Sequence, residues 1–174
     1  MDSNRIGAFV NLVEDRASAA LGNVSAHEAA VLSAIRFRPG VIAHALHGIL
    51  GLSQPAVARL LRGLENRGLV RRGPVRGRTV PLGLTEAGEA TVERVLEARR
   101  AAMEQLVAPL APEEQAQLAD LMDKMLAGAL RSRAHGRHLC RLCDYDRCSA
   151  AGCPVEARVD EIDGGVDWRN EFRK

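Results

Sequence analysis

Aromatic residues are nearly missing from this 174-residue chain: three Phe, one Tyr and one Trp make up 3% of it. Sandwiches and barrels lean on aromatic and β-branched side chains. The scarcity, with Ala and Leu abundant, therefore points to helices. Long hydrophobic runs are missing too. No stretch approaches the roughly 18 apolar residues of a membrane span, and the segment from Met1 to Arg16 mixes acids among its apolar residues, unlike a secretory signal. There is no glycine-rich phosphate loop, nucleophile elbow or HExxH pattern. The five histidines, His27, His44, His47, His135 and His138, have no evident nucleophile partner. These absences argue against a membrane protein and against an enzyme, and they set a soluble, cytoplasmic protein as the expectation.

Hydrophobic residues nevertheless make up 47% of the chain, enough to bury the core of one domain with a short appendage. The net charge of +2 hides an island. Between Ser53 and Arg78 stand seven arginines (Arg59, Arg62, Arg67, Arg71, Arg72, Arg76 and Arg78) against one acid, Glu65, and the rest of the chain sums to −4. A solvated arginine face is the plain reading of such a run. A local site for a polyanion is the functional one, because a generally adhesive protein would spread its charge.

Apolar spacing at Ile6, Phe9, Val10, Val13, Ala17 and Leu21 predicts a first helix that Gly22 and Asn23 stop. Ser25 and Glu28 have the spacing of a capping box at the head of a second helix, which closes before Pro39-Gly40. A short helix from about Ile42 to Leu50 and a turn at Gly51-Leu52-Ser53 follow. Ser53 is a good N-cap for a helix from Gln54 to Arg67, with Pro55 tolerated in its first turn. Its Val57, Leu60, Leu61 and Leu64 share one face and leave Gln54, Ala58, Arg59 and Arg62 outward. The period then changes: Leu69–Arg72 and Thr79–Leu84 read as two strands, the second an edge or irregular strand because of Pro81. Thr85 caps a long helix to about Leu110, and Pro112-Glu113-Glu114 opens a last helix with Leu118, Leu121, Met122, Met125, Leu126 and Leu130 on one face. Beyond Arg131 the period fades and the polar end reads as loosely ordered.

Helix, tight turn, helix with an outward arginine row, and basic hairpin make a winged helix-turn-helix. The expected fold is mainly α, an α+β winged helix. A single helix fits the major groove with its N-terminal residues nearest the base edges. The candidate DNA-binding residues are Ser53, Gln54, Ala56, Ala58, Arg59, Arg62, Arg76 and Arg78. Gln54 can bond a base edge, Ala56 or Ala58 can touch a thymine methyl, Arg59 can read guanine or hold phosphate, and Arg62 meets the backbone. Arg76 and Arg78 in the hairpin reach the adjacent minor groove or its phosphates.

The segment Leu46-His-Gly-Ile-Leu-Gly-Leu-Ser-Gln-Pro-Ala-Val-Ala-Arg59, with Leu64-Glu-Asn-Arg-Gly-Leu-Val70, Leu84-Thr-Glu-Ala-Gly88 and Leu110-Ala-Pro-Glu-Glu114, resembles the MarR family of bacterial regulators. The resemblance spans about Ile6 to Leu130. His47 stands where the family usually has a small residue, and the wing lacks the aspartate common there. The likeness implies a homodimer with intertwined first and last two helices, each subunit lending one reading helix to a palindromic operator. A small-molecule effector, if there is one, would sit between the dimer helices and the reading domain.

Cys140, Cys143, Cys148 and Cys153 place four soft ligands within a short stretch. A thiolate quartet suits tetrahedral zinc or an iron–sulfur cluster. The spacing is that of a retroviral-type zinc knuckle with cysteine in place of histidine, and Cys153-Pro154 resembles the end of bacterial ferredoxin motifs. Reversible disulfides acting as a redox switch, or free thiols, are the other readings. His138 is a surface residue or a further ligand candidate. An RNA-binding or protein-interaction winged helix with a knuckle-like tail is the competing function, and its only tail aromatics for base stacking are Tyr145, Trp168 and Phe172. The expected organisation is a winged-helix domain at 1–134 (reading head about 25–85, dimerisation helices about 4–21 and 86–134) and a cysteine-rich, metal-binding tail at 135–174. Metal or redox state in that tail would act on the spacing of the reading heads.

Overall fold

The computed structural model of the chain describes residues 2–75, 77–150 and 152–165. The core is built on α2 (Ala26–Phe37), whose residues from Ala29 to Ile35 are all buried. Its start is the expected capping box: Ser25 Oγ accepts from the Glu28 N–H at 3.2 Å, and Glu28 accepts from the Ser25 N–H at 2.7 Å. Such a box fixes where the helix begins and contributes about 1 kcal/mol. Leu46, Ile49 and Leu50 of α3 (Ala43–Leu50), Val57, Leu61 and Leu64 of α4 (Gln54–Asn66), and Val92 and Leu96 of α5 (Glu86–Val107) close around it.

Between α3 and α4 the chain turns at Gly51, whose φ of 67° is left-handed and open to glycine without strain. Ser53 then caps α4 by accepting from the Ala56 N–H at 3.4 Å. After Gly68, also left-handed, β1 (Val70–Arg72) pairs antiparallel with β2 (Leu82–Leu84), Val70 opposite Leu84 and Arg72 opposite Leu82. The second strand is shorter than its apolar pattern suggests. Pro81 has no N–H to offer a ladder; its carbonyl accepts from Gly73 at 2.8 Å, and regular pairing starts one residue later. An isolated bridge from Ile42 to Pro81 and a bond from the Leu82 N–H to the Val41 carbonyl (2.8 Å) tie the hairpin to the entrance of α3.

Helix α5 begins with Thr85 accepting from the Gly88 N–H at 3.1 Å. It ends at Val107, earlier than the apolar pattern predicts: Ala108 still has helical angles and donates to the Glu104 carbonyl, but Pro109 has no N–H to carry the ladder further. At its first turn the helix touches the backbone that leads into β1: a Cβ on Gly88 would stand 2.0 Å from the Leu69 carbonyl oxygen. Helix α1 (Ser3–Ala19) lies along α5 and buries no residue, and α6 (Pro112–Ala129) buries none either. Their apolar stripes face outward: Ile6 is 47% exposed, Phe9 49%, Leu121 55% and Met125 61%.

The tail beyond Arg131, where the apolar period fades, forms α7 (Arg133–Leu139), α8 (Tyr145–Ala150) and α9 (Pro154–Asp163). The boundary expected at 134–135 falls inside α7. Arg133 joins α7 to α9 through Asp160 (2.9 Å) and Asp163 (2.6 Å), and Gly136 lets α9 pack closely, since a Cβ there would lie 2.9 Å from Val159. The polar end beyond 165, with Trp168 and Phe172, lies outside the described residues.

Candidate nucleic-acid interface and cysteine cluster

The arginine island divides into two sets. Arg67 binds Glu28 at 2.9 Å and the Asn23 carbonyl at 3.4 Å. Arg71 donates from Nε to the Leu84 carbonyl at 3.1 Å, and Arg72 pairs with Glu65 at 2.7 Å. These three hold the reading head together. Arg59 and Arg62, on the outer face of α4, are exposed, and so is Arg78 in the hairpin. None of the three makes a hydrogen bond or ion pair among the described residues. Arg76 lies outside the described residues.

At the start of α4 Ser53 is exposed, with its hydroxyl engaged as the cap. Gln54 is exposed, and its Nε2 lies 3.2 Å from Nδ1 of His44 on α3. Nε2 donates, so that ring nitrogen is the acceptor. His44 in turn stands edge-on to His47, with ring centroids 5.0 Å apart. Ala56 and Ala58 are half-buried beside the N-terminal turn. The structure thus gathers Gln54, Arg59 and Arg62 on one open helical face. Sequence reasoning missed His44 as a partner of Gln54; its signal is only that the N-termini of two helices joined by a tight turn come close.

In the tail, no cysteine is in a disulfide and all four are half-buried. Hydrogen-bonding contacts link Cys140 to Cys143 and to Cys153, and Cys153 to Cys148. Among the described residues no three His, Cys, Asp or Glu side chains surround a common point as they stand. The electrostatics split the set. The Cys140 thiol, together with backbone N–H groups of Glu156 and Val155, holds Cys153 well below the usual thiol range despite burial. Bonding to Cys140, helped by the Arg99 and Arg141 guanidiniums, lowers Cys143. Sharing its proton with Cys143 and Cys153, and then burial, raise Cys140; burial raises Cys148. Cys153 sits at the N-terminus of α9 after Gly152, whose φ is 83°, so the tight backbone expected there is present.

Histidine 138 does not face the thiols with Nδ1. That nitrogen lies 3.1 Å from the Ile49 carbonyl, at the end of α3. Tyr145 donates its hydroxyl to Glu156 at 2.9 Å and is half-buried, so it is not an open platform for a base.

A helix-turn-helix capped by Ser53, completed by an antiparallel basic hairpin, defines the chain as a winged helix-turn-helix protein. Residues 23–78 match the MarR family model. No curated protein sequence matches the chain. Among solved structures it is similar to MepR, a transcription regulator of the Staphylococcus aureus multidrug efflux pump MepA, at 24% identity and a TM-score of 0.64, over 75% of this chain and 99% of that one. It is similar to MarR from E. coli in its apo form, at 26% identity and a TM-score of 0.57, over 69% of this chain and 96% of that one. A single-residue mutant of S. aureus MepR bound to an oligodeoxyribonucleotide matches at 24% identity and a TM-score of 0.56, over 74% of this chain and 97% of that one. No helix among the described residues is long and apolar enough to cross a membrane.

Proposed function

We propose that the protein is a cytoplasmic, homodimeric transcription regulator that binds duplex DNA sequence-specifically, with α4 in the major groove of a palindromic operator. The sorting of the arginines carries this reading: Arg67, Arg71 and Arg72 are engaged within the fold, whereas Arg59, Arg62 and Arg78 are exposed and make no hydrogen bond or ion pair among the described residues. Gln54, with Ser53, Ala56 and Ala58 around it, meets the base edges; Arg59 and Arg62 meet guanine or phosphate; Arg76 and Arg78 meet the flanking minor groove or its backbone. A mutant of the similar MepR is bound to an oligodeoxyribonucleotide, in keeping with this. The test is selection of duplexes from a random pool, followed by anisotropy titration at several salt concentrations. Selective binding whose logarithm falls steeply with salt is expected. Binding indifferent to both sequence and salt ends the reading.

The exposed stripes of α1 and α6 support the homodimer. Two helices that bury nothing within the subunit present Ile6, Phe9, Leu121 and Met125 to water, and a second copy of the same helices covers them in the way the family likeness implies.

The four cysteines hold a soft metal ion, zinc in preference to an iron–sulfur cluster. Three pairs of thiols are already in hydrogen-bonding contact. A tetrahedral site with Zn–S bonds of about 2.3 Å sets its sulfurs about 3.8 Å apart, and the ligands of a multi-iron cluster stand wider. Side-chain rotation is needed to bring the sulfurs round one point. Anaerobic purification, metal assay and a visible spectrum decide it: colourless protein with one zinc per chain is expected, and brown protein with iron refutes the choice of zinc.

A further inference from the structure

At the start of α4 few side chains can address a base. The Ser53 hydroxyl is engaged on the Ala56 N–H, and Pro55, Ala56 and Ala58 carry no polar side-chain atom. Gln54 is therefore the first side chain of the helix that brings both a donor and an acceptor to a base edge. A loose glutamine amide reads poorly. Its oxygen and its two N–H groups lie on a plane that turns freely, so it can meet the edge of any base pair. Whatever fixes the direction of that plane decides what it reads.

Here the direction is set from α3. Gln54 is the first residue of α4 and His44 the second of α3. Leu46, Ile49 and Leu50 share one core with Val57, Leu61 and Leu64, so both helices are rooted below the surface. Above that core Gln54 Nε2 lies 3.2 Å from Nδ1 of His44. The imidazole is itself flanked: the half-buried His47, one turn on, stands edge-on to it with centroids 5.0 Å apart and planes at 63°. A recognition group set on rigid elements and held by a neighbour is pre-organised, and it has less freedom to lose on binding.

Nδ1 accepts in this bond, so the neutral ring carries its proton on Nε2. The bond takes one N–H of the Gln54 amide and leaves the other N–H and Oε1, a donor beside an acceptor. Adenine offers the complement in the major groove, an N7 acceptor beside an N6 donor. Guanine offers two acceptors, N7 and O6. Against guanine, Oε1 meets O6 lone pair to lone pair, and turning the amide over to relieve that aims Oε1 at Nδ1 instead.

Resting on the placement of α4 in the major groove, we propose that His44 is a specificity-determining residue of the DNA interface: by holding the Gln54 amide in one orientation it makes Gln54 a reader of adenine that discriminates against guanine. His44 is a positioning residue. It acts through Gln54 and needs no base contact of its own.

The experiment uses the full chain and the duplexes it selects from a random pool. Selection repeated with Gln54→Ala identifies the base pair that Gln54 reads. Anisotropy titrations at one salt concentration then give the affinity ratio of adenine to guanine at that pair for wild type, His44→Leu, His44→Asn, Gln54→Ala and the double variant of His44→Leu with Gln54→Ala. The ratio is the readout because a lost backbone contact weakens binding to both duplexes alike. A bidentate contact discriminates by about 5- to 150-fold, and wild type is expected in that range. His44→Leu removes the acceptor, and the ratio should drop about five-fold or more. Asparagine carries a carbonyl oxygen where the imidazole has Nδ1, so His44→Asn should keep most of the preference. Gln54→Ala should abolish it, and adding His44→Leu should change nothing more, since the two act through one contact. Wild-type protein that selects no sequence overturns the DNA reading itself. Selective binding in which Gln54→Ala alters no base pair, or alters one that is not A·T, overturns the adenine assignment and leaves that reading standing. An unchanged ratio in His44→Leu, or one that falls equally in His44→Asn, overturns the role of His44.

Discussion

Replacing Gly88 by alanine sets two physical effects of opposite sign against each other. Gly88 is the third residue of α5, and helix propensity alone favours alanine by up to about 1 kcal/mol. The added Cβ, however, would stand 2.0 Å from the Leu69 carbonyl oxygen and 3.0 Å from its carbonyl carbon. Contact of carbon with oxygen needs more than 3 Å, so α5 must move off that backbone by about 1 Å. The atoms it meets are backbone and cannot rotate away. That shift pulls on the bond from the Thr85 N–H to the Leu69 carbonyl (3.2 Å) and on the bond from the Thr85 hydroxyl to the Gly68 carbonyl (2.6 Å). Overpacking of this kind costs about 1–3 kcal/mol, and the strained bonds about 1 kcal/mol each. The net expectation is a loss of about 2–4 kcal/mol. Urea unfolding followed by circular dichroism, at one fixed protein concentration because association contributes to stability, measures it. Gly63→Ala in α4, where nothing lies within 4 Å of the new Cβ, is the matched control and should be neutral or stabilising. A Gly88→Ala protein as stable as wild type would refute the reasoning.

Arg59→Ala is expected to weaken operator binding by about 1–3 kcal/mol while leaving the unfolding midpoint in place. Arg71→Ala should do the reverse, costing about 1 kcal/mol of stability through the lost bond to Leu84 with little change in DNA affinity; anisotropy and urea curves on both variants separate the roles. Burial opposes it, but the Ser25 N–H and hydroxyl and the Arg67 guanidinium hold the Glu28 carboxyl below the usual carboxylate range. Its contribution is therefore full above that range and is lost as the pH falls through its lowered folded value. Glu28→Gln should be less stable than wild type by about 1 kcal/mol at pH 7, with the gap closing in acid, and equal gaps at pH 7 and pH 3 would contradict this. Met125→Glu places a charge in the outward stripe of α6, and light scattering should report a shift from dimer to monomer.

Local signals were well placed to reveal the reading head. Ser25 with Glu28, Ser53 before Gln54, and Thr85 before Glu86 mark helix starts within a residue, because a cap is a contact between neighbours in sequence. Gly51, Gly68 and Gly152 mark turns because left-handed backbone suits glycine. The limits of such reasoning are equally specific. The end of α5 depended on Pro109, and the start of β2 on the missing N–H of Pro81, each a single residue overriding an apolar period. The tail was hardest to read, because α7, α8 and α9 are short and their small core draws on Leu130, Val155 and Val159, which no local period connects.

The sequence by itself determined a winged helix-turn-helix with an arginine-rich reading segment and four closely spaced cysteines, since caps, turns, periodicity and charge act over a few residues. Only the tertiary structure decided which arginines are free and which are spent. Arg67, Arg71 and Arg72 look like Arg59 and Arg62 in the sequence, yet Glu28, Leu84 and Glu65 engage them once distant segments meet. It likewise decided that the tail lies against the turn before α4: the bond from His138 to Ile49 and the seat of Arg99 beside Cys143 join residues far apart in the chain, and only packing brings them together.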